Sequence, residues 1–262
     1  MVQQLTPDTA EVIYPESDGQ PMADNTEQFQ WIVKIKENLE ILFALQDNVF
    51  IAGNLLWYAV QGDVKLRQAP DAMVVFGRPK GKRGSYKQWE EDNIPPQVVF
   101  EILSPGNKTK DMANKLLFYQ RHGVEEYYIY DPQTNELTGL LRSQENLEVI
   151  EEINNWVSPR LEVRFELTRN TLEIYRPDGQ RFLTSVELNQ IREQEYQRAE
   201  QEYQRAEQER QRAEQERQRA EQEYQRAEQE CQEKEAAQLQ LELERQRYQD
   251  LLAQLQERGI DL

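Results

Sequence analysis

Among 262 residues there is one cysteine, Cys231, and one histidine, His122. An internal disulfide is therefore impossible, and a zinc site built from Cys and His is out of reach, so any metal must rest on oxygen ligands. Basic residues are scarce as well: 31 Lys and Arg face 48 Asp and Glu, for a formal net charge of −17. That balance excludes a protein that coats nucleic acid indiscriminately. No apolar run approaches the roughly 20 residues that span a bilayer, and the start MVQQLTPDTAEVIYPESDGQ lacks the basic and apolar regions of a signal peptide. A cytoplasmic chain is expected. The hydrophobic content, 38%, is low for a single compact fold of this length, so part of the chain should lie outside any core.

What the sequence has in excess is a seven-residue repeat: YQRAEQE starts at Tyr196, Tyr203 and Tyr224, and RQRAEQE at Arg210 and Arg217. Alternating steps of three and four, from Tyr196 and Ala199 to Tyr224 and Ala227, make a heptad seam that runs on to Leu241, Tyr248, Leu252 and Leu255. Residues 187–262 are expected as one continuous helical tail. Arg198 with Glu202, Arg205 with Glu209 and Arg212 with Glu216 stand four apart, and such ion pairs support an isolated helix by about 0.2–0.5 kcal/mol each. Two forms fit this pattern: a coiled-coil homo-oligomer, most simply a dimer, seeded by the apolar far end, or a solvated single helix. The tail carries −8 and residues 1–186 carry −9, so both parts are acidic.

Residues 1–23, with Pro7, Pro15, Gly19 and Pro21 among polar neighbours, read as an extended arm. A domain over residues 24–186 follows. Trp31, Ile32, Ile35, Leu39 and Leu42 recur at helical spacing from about Thr26 to Leu45, with Asn25 or Thr26 as cap. Val49–Ala52 and Leu55–Val60, divided by Gly53-Asn54, read as a pair of strands, and residues 71–76 as a third. Val98–Leu103, apolar on both faces, is expected at the centre of a covered sheet. A helix over Thr109–Gln120 ends at Gly123, and the strand Glu126–Tyr130 completes a parallel crossover unit. Leu137–Arg142, Leu147–Ile150, Leu161–Leu167 and Thr171–Tyr175 are expected as an edge meander. The fold class is α/β or α+β.

Glu101 interrupts an otherwise apolar strand, so its carboxylate is either withdrawn from water and compensated or placed at a solvent-facing strand end. Asp71 follows Pro70 at the start of a strand, where a simple turn role would also explain it. Asp111 and Lys115 share a helix face and could form only an ion pair. That helix, however, begins at the C-terminal end of the Glu101 strand, where open α/β sheets place their ligands. Two carboxylates there suit a hard cation, and an ammonium beside them can orient water or neutralise phosphate. The stretch 78–87 holds Arg78, Lys80, Lys82, Arg83 and Lys87, a phosphate-facing loop or a solubilising one, and Tyr86 and Trp89 beside it could stack on bases or pin the loop. His122, at a helix C-terminus, is explained by a capping contact or its partial charge.

The spellings Pro70-Asp71, Val99-Phe-Glu101-Ile-Leu-Ser-Pro105, Asp111-Met-Ala-Asn-Lys115, Tyr119 and Gly123-Val-Glu-Glu-Tyr-Tyr-Ile-Tyr-Asp-Pro132, in this order, resemble the bacterial Uma2 family of restriction endonuclease-like proteins, within the PD-(D/E)XK nuclease superfamily. The resemblance covers about residues 26–180. It implies a restriction-endonuclease-like mixed central sheet flanked by helices, followed here by the long helix, and a metal-dependent phosphodiesterase centre. It implies that Asp71, Glu101 and the Ile102 carbonyl bind Mg²⁺ or Mn²⁺. One departure stands out: Leu103 occupies the place of the usual lysine. Lys115 is the candidate substitute, with Asp111 assisting or holding it, and Glu37 on the first helix is a further possible member. The expected function is an endonuclease acting on nucleic acid, DNA in the first place. The alternative is a catalytically inactive nuclease-like binding or scaffold protein assembled by its tail.

Overall fold

A computed structural model describes residues 12–257, apart from Asp18, Gln20 and Met22. Of the expected arm, residues 1–11 and these three lie outside the described residues. Residues 12–15 form no regular element, and Tyr14 packs edge-on against Tyr58 at 5.1 Å and against Trp89 at 4.9 Å.

Helix α1 spans Thr26–Leu42, opened by the Asn25 side chain, which accepts a hydrogen bond from the Gln28 N–H at 2.8 Å. Eleven strands follow among the described residues: β1 (Val49–Ala52), β2 (Trp57–Tyr58), β3 (Arg67–Gln68), β4 (Ala72–Phe76), β5 (Tyr86–Lys87), β6 (Val98–Ile102), β7 (Glu126–Asp131), β8 (Glu136–Ser143), β9 (Asn146–Val149), β10 (Arg164–Leu167) and β11 (Leu172–Tyr175). Helix α2 (Thr109–Arg121) joins β6 to β7, and α3 (Ser185–Glu257) ends the described chain.

The main sheet has the order β1-β4-β6-β7-β8-β9, and β6 and β7 are its parallel pair. Strand β6 is buried along its whole length, which is why it lacks the alternation of a half-exposed strand. One face packs Trp31, Ile35 and Leu39 of α1 against Val74, Val98 and Phe100, with Phe165 and Ile174 of the β10–β11 hairpin. The other packs Phe118 and Tyr119 of α2 against Met73, Val99 and Tyr127, with Trp57 and Tyr86 from the small β3-β2-β5 sheet.

Two expectations need correction. Strands β1 and β2 do not pair: β1 is buried throughout and joins β4, while β2 enters the small sheet. Between them Asn54 takes φ +51°, and its N–H donates to the Pro70 and Asp71 carbonyls, turning the chain away from a hairpin. The edge meander is β7-β8-β9 alone, and β10 and β11 form a separate hairpin.

The chain divides into two compact units between Asn189 and Gln190. Helix α3 opens with a capping box: Thr184 Oγ1 accepts from the Glu187 N–H, and the Glu187 carboxylate accepts from the Thr184 N–H at 2.8 Å. The pairs Arg198–Glu202, Arg205–Glu209 and Arg212–Glu216 are absent from the ion pairs of the described residues. Instead Gln197 and Gln204 donate to the glutamates four residues earlier. Arginine preceding glutamate is the weaker order for an i,i+4 pair, consistent with that outcome. The side chain of Leu255, expected in the seam, lies outside the described residues.

Leu39 is fully buried beneath the sheet. Leu39→Ala should remove about 2–5 kcal/mol of stability, read as a lower urea midpoint by tryptophan fluorescence. An unchanged midpoint would contradict the packing described.

Candidate active site

The antiparallel register of β4 and β6 pairs Met73 with Val99 and Ala72 with Phe100. One step further along that register, Asp71 stands opposite Glu101. Side chains alternate along strands, so both carboxyl groups lie on the α2 face. Both are buried, with exposures of 6% and 2%. Two like charges in direct cross-strand apposition are unfavourable, and the surrounding groups respond to that.

Glu101 is satisfied from α2. Its Oε2 accepts from Lys115 Nζ at 2.6 Å and its Oε1 from the Tyr119 hydroxyl at 2.5 Å. Positions 115 and 119 are one helical turn apart, which is how one helix supplies both donors. Asp71 Oδ2 accepts from the Ile102 N–H at 2.7 Å. Burial, then the neighbouring Glu101 charge, push the Asp71 carboxyl up to about 8, against the pull of the Ile102 N–H and Lys115. At neutral pH the Asp71 carboxyl is therefore held toward its protonated form.

For Lys115, burial works against the ammonium, but Glu101, with Asp71 and Asp111, outweighs it and the net shift is upward. The amine is therefore a fixed cation. Burial and then Glu101 raise Tyr119 well above the ordinary phenol range, so it stays a donor. Tyr127, fully buried on the same sheet face, has a hydroxyl with no hydrogen-bond partner among the described residues, and burial followed by Glu101 and Asp71 raises it too.

The oxygen donors that could hold a hard cation here are Asp71, Glu101 and the Ile102 carbonyl. No group of three or more His, Cys, Asp or Glu side chains suited to a metal occurs among the described residues. The pair fits Mg²⁺ all the same, since that ion commonly takes one or two protein carboxylates and fills its octahedron with water and phosphate oxygens. A divalent charge would also offset the burial and the Glu101 charge that raise the Asp71 carboxyl. The Ile102 carbonyl already accepts from Gln28 Nε2 at 2.8 Å, leaving its second lone pair.

Not every expected member joins. Asp111 is exposed in the first turn of α2, makes no ion pair with Lys115, and acts on it only through its charge. Glu37 has no hydrogen bond or ion pair to the cluster among the described residues.

The basic loop is largely neutralised within the fold. Arg78 and Arg83 both pair with Glu91, at 2.8 and 2.5 Å, and Arg78 also with Asp92. Lys80 Nζ donates to the Phe43 and Ala44 carbonyls just past the end of α1, at 2.8 and 2.7 Å. Lys87 lies 3.3 Å from Glu90. Lys82 is exposed. Tyr86 is buried, its hydroxyl donating to the Ile94 carbonyl at 2.6 Å, so it pins the loop and is closed to base stacking. His122 is the C-cap of α2, its N–H donating to the Phe118 carbonyl at 3.0 Å, and its ring lies tilted against Phe118 at 4.6 Å and is pushed down by burial and then Arg121.

Three residues around this centre were given no site role by the sequence. Tyr119 and Tyr127 stand in the quoted spelling, and the i,i+4 relation of Tyr119 to Lys115 could have given Tyr119 its role. Gln28 carries no such signal, because its role depends on a contact between elements distant in the chain.

The family model described as "Putative restriction endonuclease", Uma2, matches residues 4–173. A solved structure, of a "putative nuclease belonging to DUF820" from Anabaena variabilis, is similar at 18% identity, covering 52% of this chain and 72% of that one, with a TM-score of 0.39. No curated protein matches.

The Asp71 shift has a defined sign for stability. Its folded-state pKa is raised from 3.8 to about 8, so its contribution is complete below about pH 4 and is lost as pH rises through about 8. Without divalent cations, the Tm of the wild type should fall from pH 7 to pH 9 more steeply than that of Asp71→Asn. Parallel slopes would show that Asp71 titrates normally.

Proposed function

The chain belongs to the Uma2 family, and on that premise we propose that it is a Mg²⁺-dependent endonuclease that hydrolyses phosphodiester bonds, with DNA as substrate. The observation that supports this reading best is the 2.6 Å contact between Lys115 and Glu101. Leu103 cannot carry the charge that the strand position would ordinarily supply. The lysine four residues before Tyr119 brings that charge to the same carboxylate from α2.

In this reading Asp71, Glu101 and the Ile102 carbonyl hold the cation, with Mn²⁺ as a substitute. When bound, the ion supplies Lewis acidity and a more acidic water. Lys115, a fixed cation, orients the attacking water or steadies the charge developing on the phosphoryl group. Tyr119 holds the second oxygen of Glu101 and so fixes the carboxylate plane. Gln28 ties α1 to the Ile102 carbonyl and keeps the strand end in register with Asp71. Asp111 supports the lysine charge from the helix surface. Of the basic loop, Lys82 is the residue open to a phosphate, while Arg78, Lys80, Arg83 and Lys87 shape the loop.

A second reading has its own support. Both Glu101 oxygens are already satisfied by protein donors, as in a purely structural buried ion pair. A silent nuclease-like domain that binds a partner would look the same. Plasmid nicking separates the two. Wild type with Mg²⁺ or Mn²⁺ should nick supercoiled DNA, and Asp71→Ala, Glu101→Gln and Lys115→Ala should each lose about 10²–10³-fold. Equal rates for all four proteins would refute the site, and no nicking by wild type would favour the silent reading.

We further propose that copies associate through the apolar far end of α3, where Leu241 and Tyr248 share the seam with Leu252. Leu241→Gln combined with Leu252→Gln should lower the mass seen by light scattering to that of the monomer. An unchanged mass would place self-association elsewhere.

A further inference from the structure

The repeat itself, residues 196–230, is a different surface from that apolar end. In each repeat the seam positions hold Tyr or Arg and Ala, and the positions flanking the seam on both sides are glutamate. Glu200, Glu207 and Glu214 line one side, and Glu202, Glu209 and Glu216 the other, with the pattern continuing to Glu230. The remaining arginines of the repeat, such as Arg198 and Arg205, fall on the outer face. No intrahelical ion pair closes on these flanking glutamates among the described residues, and the side-chain bonds that do form to carboxylates come from neutral glutamines. The seam is uncovered, with Tyr196, Tyr203 and Tyr224 each about two-thirds exposed.

A second copy of this chain is a poor occupant. In a parallel pair the two flanks of opposite helices meet, and in an antiparallel pair each flank meets its own equivalent. Both arrangements set glutamate against glutamate for the full length of the repeat. At Arg210 and Arg217 a symmetric parallel pair would also face arginine with arginine in the seam. The complementary surface is an α-helix with a small apolar seam, Lys or Arg at both flanking positions, and an acidic residue opposite each seam arginine. We propose that residues 196–230 are a docking surface for such a basic amphipathic helix of another protein, about five heptads long. Self-association is confined to the apolar end. The docking surface is independent of the nuclease reading, since it uses no residue of the folded unit.

The test uses the full chain and a synthetic 35-residue helix with an Ala/Leu seam, lysine at both flanks, and glutamate opposite Arg210 and Arg217. A control peptide carries glutamate at the flanks. Fluorescence anisotropy should show binding of the lysine peptide at 0.15 M salt, at least tenfold weaker at 0.5 M, and no binding of the control. A chain with Glu200→Lys, Glu202→Lys, Glu207→Lys, Glu209→Lys, Glu214→Lys and Glu216→Lys should exchange this preference for the control peptide. Failure of the lysine peptide to bind would overturn the proposal and leave a solvated helix. So would self-pairing along the repeat, read as rapid disulfide-linked dimer in Tyr203→Cys with Cys231→Ser on oxidation in the absence of peptide.

Discussion

The folded unit is organised around two carboxyl groups held face to face across a buried strand pair. Strands β4 and β6 are each buried on both sides, so their register cannot slip without carrying Met73, Val99 and their neighbours out of the core. That same register forces Asp71 against Glu101. Two buried like charges are tolerable only if something neutralises them. The fold answers with Lys115 and Tyr119 from α2, the Ile102 N–H, and a proton retained on Asp71. A buried arrangement that still leaves an acid protonated near neutral pH is costly for a structural element and suited to a cation site. Glu126, the buried carboxyl group on the opposite face, is likewise raised by burial, against hydrogen bonds that hold it down. Glu126 accepts from Ser158, from Tyr128 and from the Arg160 N–H, and these bonds fix the turn near Arg160.

Much of this was legible in the sequence, for identifiable reasons. Periodicity located α1, α2 and the strands β1, β4, β6 and β7 within a few residues, because each contributes a long apolar face. Glu101 was visible as the one charge in an apolar run, and Lys115 as a basic residue on the helix that follows. Asp71 needed the family spelling to be joined to Glu101, whereas the start of α2 at the end of the Glu101 strand already set Lys115 near it. What was not legible depends on distant contacts. The hairpin expected from β1 and β2 fails because Asn54 turns toward the Pro70 and Asp71 carbonyls, 16 and 17 residues further along the chain. The phosphate-facing reading of the basic loop weakens because Glu91 and Asp92, just beyond it, supply the neutralising charge.

Net charge acquires a local meaning from these contacts. The folded unit uses its acids in three ways: concentrated at a buried pair, spent on the arginines of one loop, and placed at helix starts such as Glu187. The repeat uses them as two uninterrupted rails beside a thin seam. The value of −17 is thus the sum of unlike devices, and it does not oppose a grip on one phosphate at the strand ends.

In the proposed endonuclease a divalent cation and a proton compete for the Asp71–Glu101 pair. Calorimetric titration of Mg²⁺ into the full chain at pH 7, in two buffers of different ionisation enthalpy, measures that competition directly. Binding should release about one proton per cation, and Asp71→Asn should lose that release. Heats that do not depend on the buffer, or identical proton release by the variant, would contradict it.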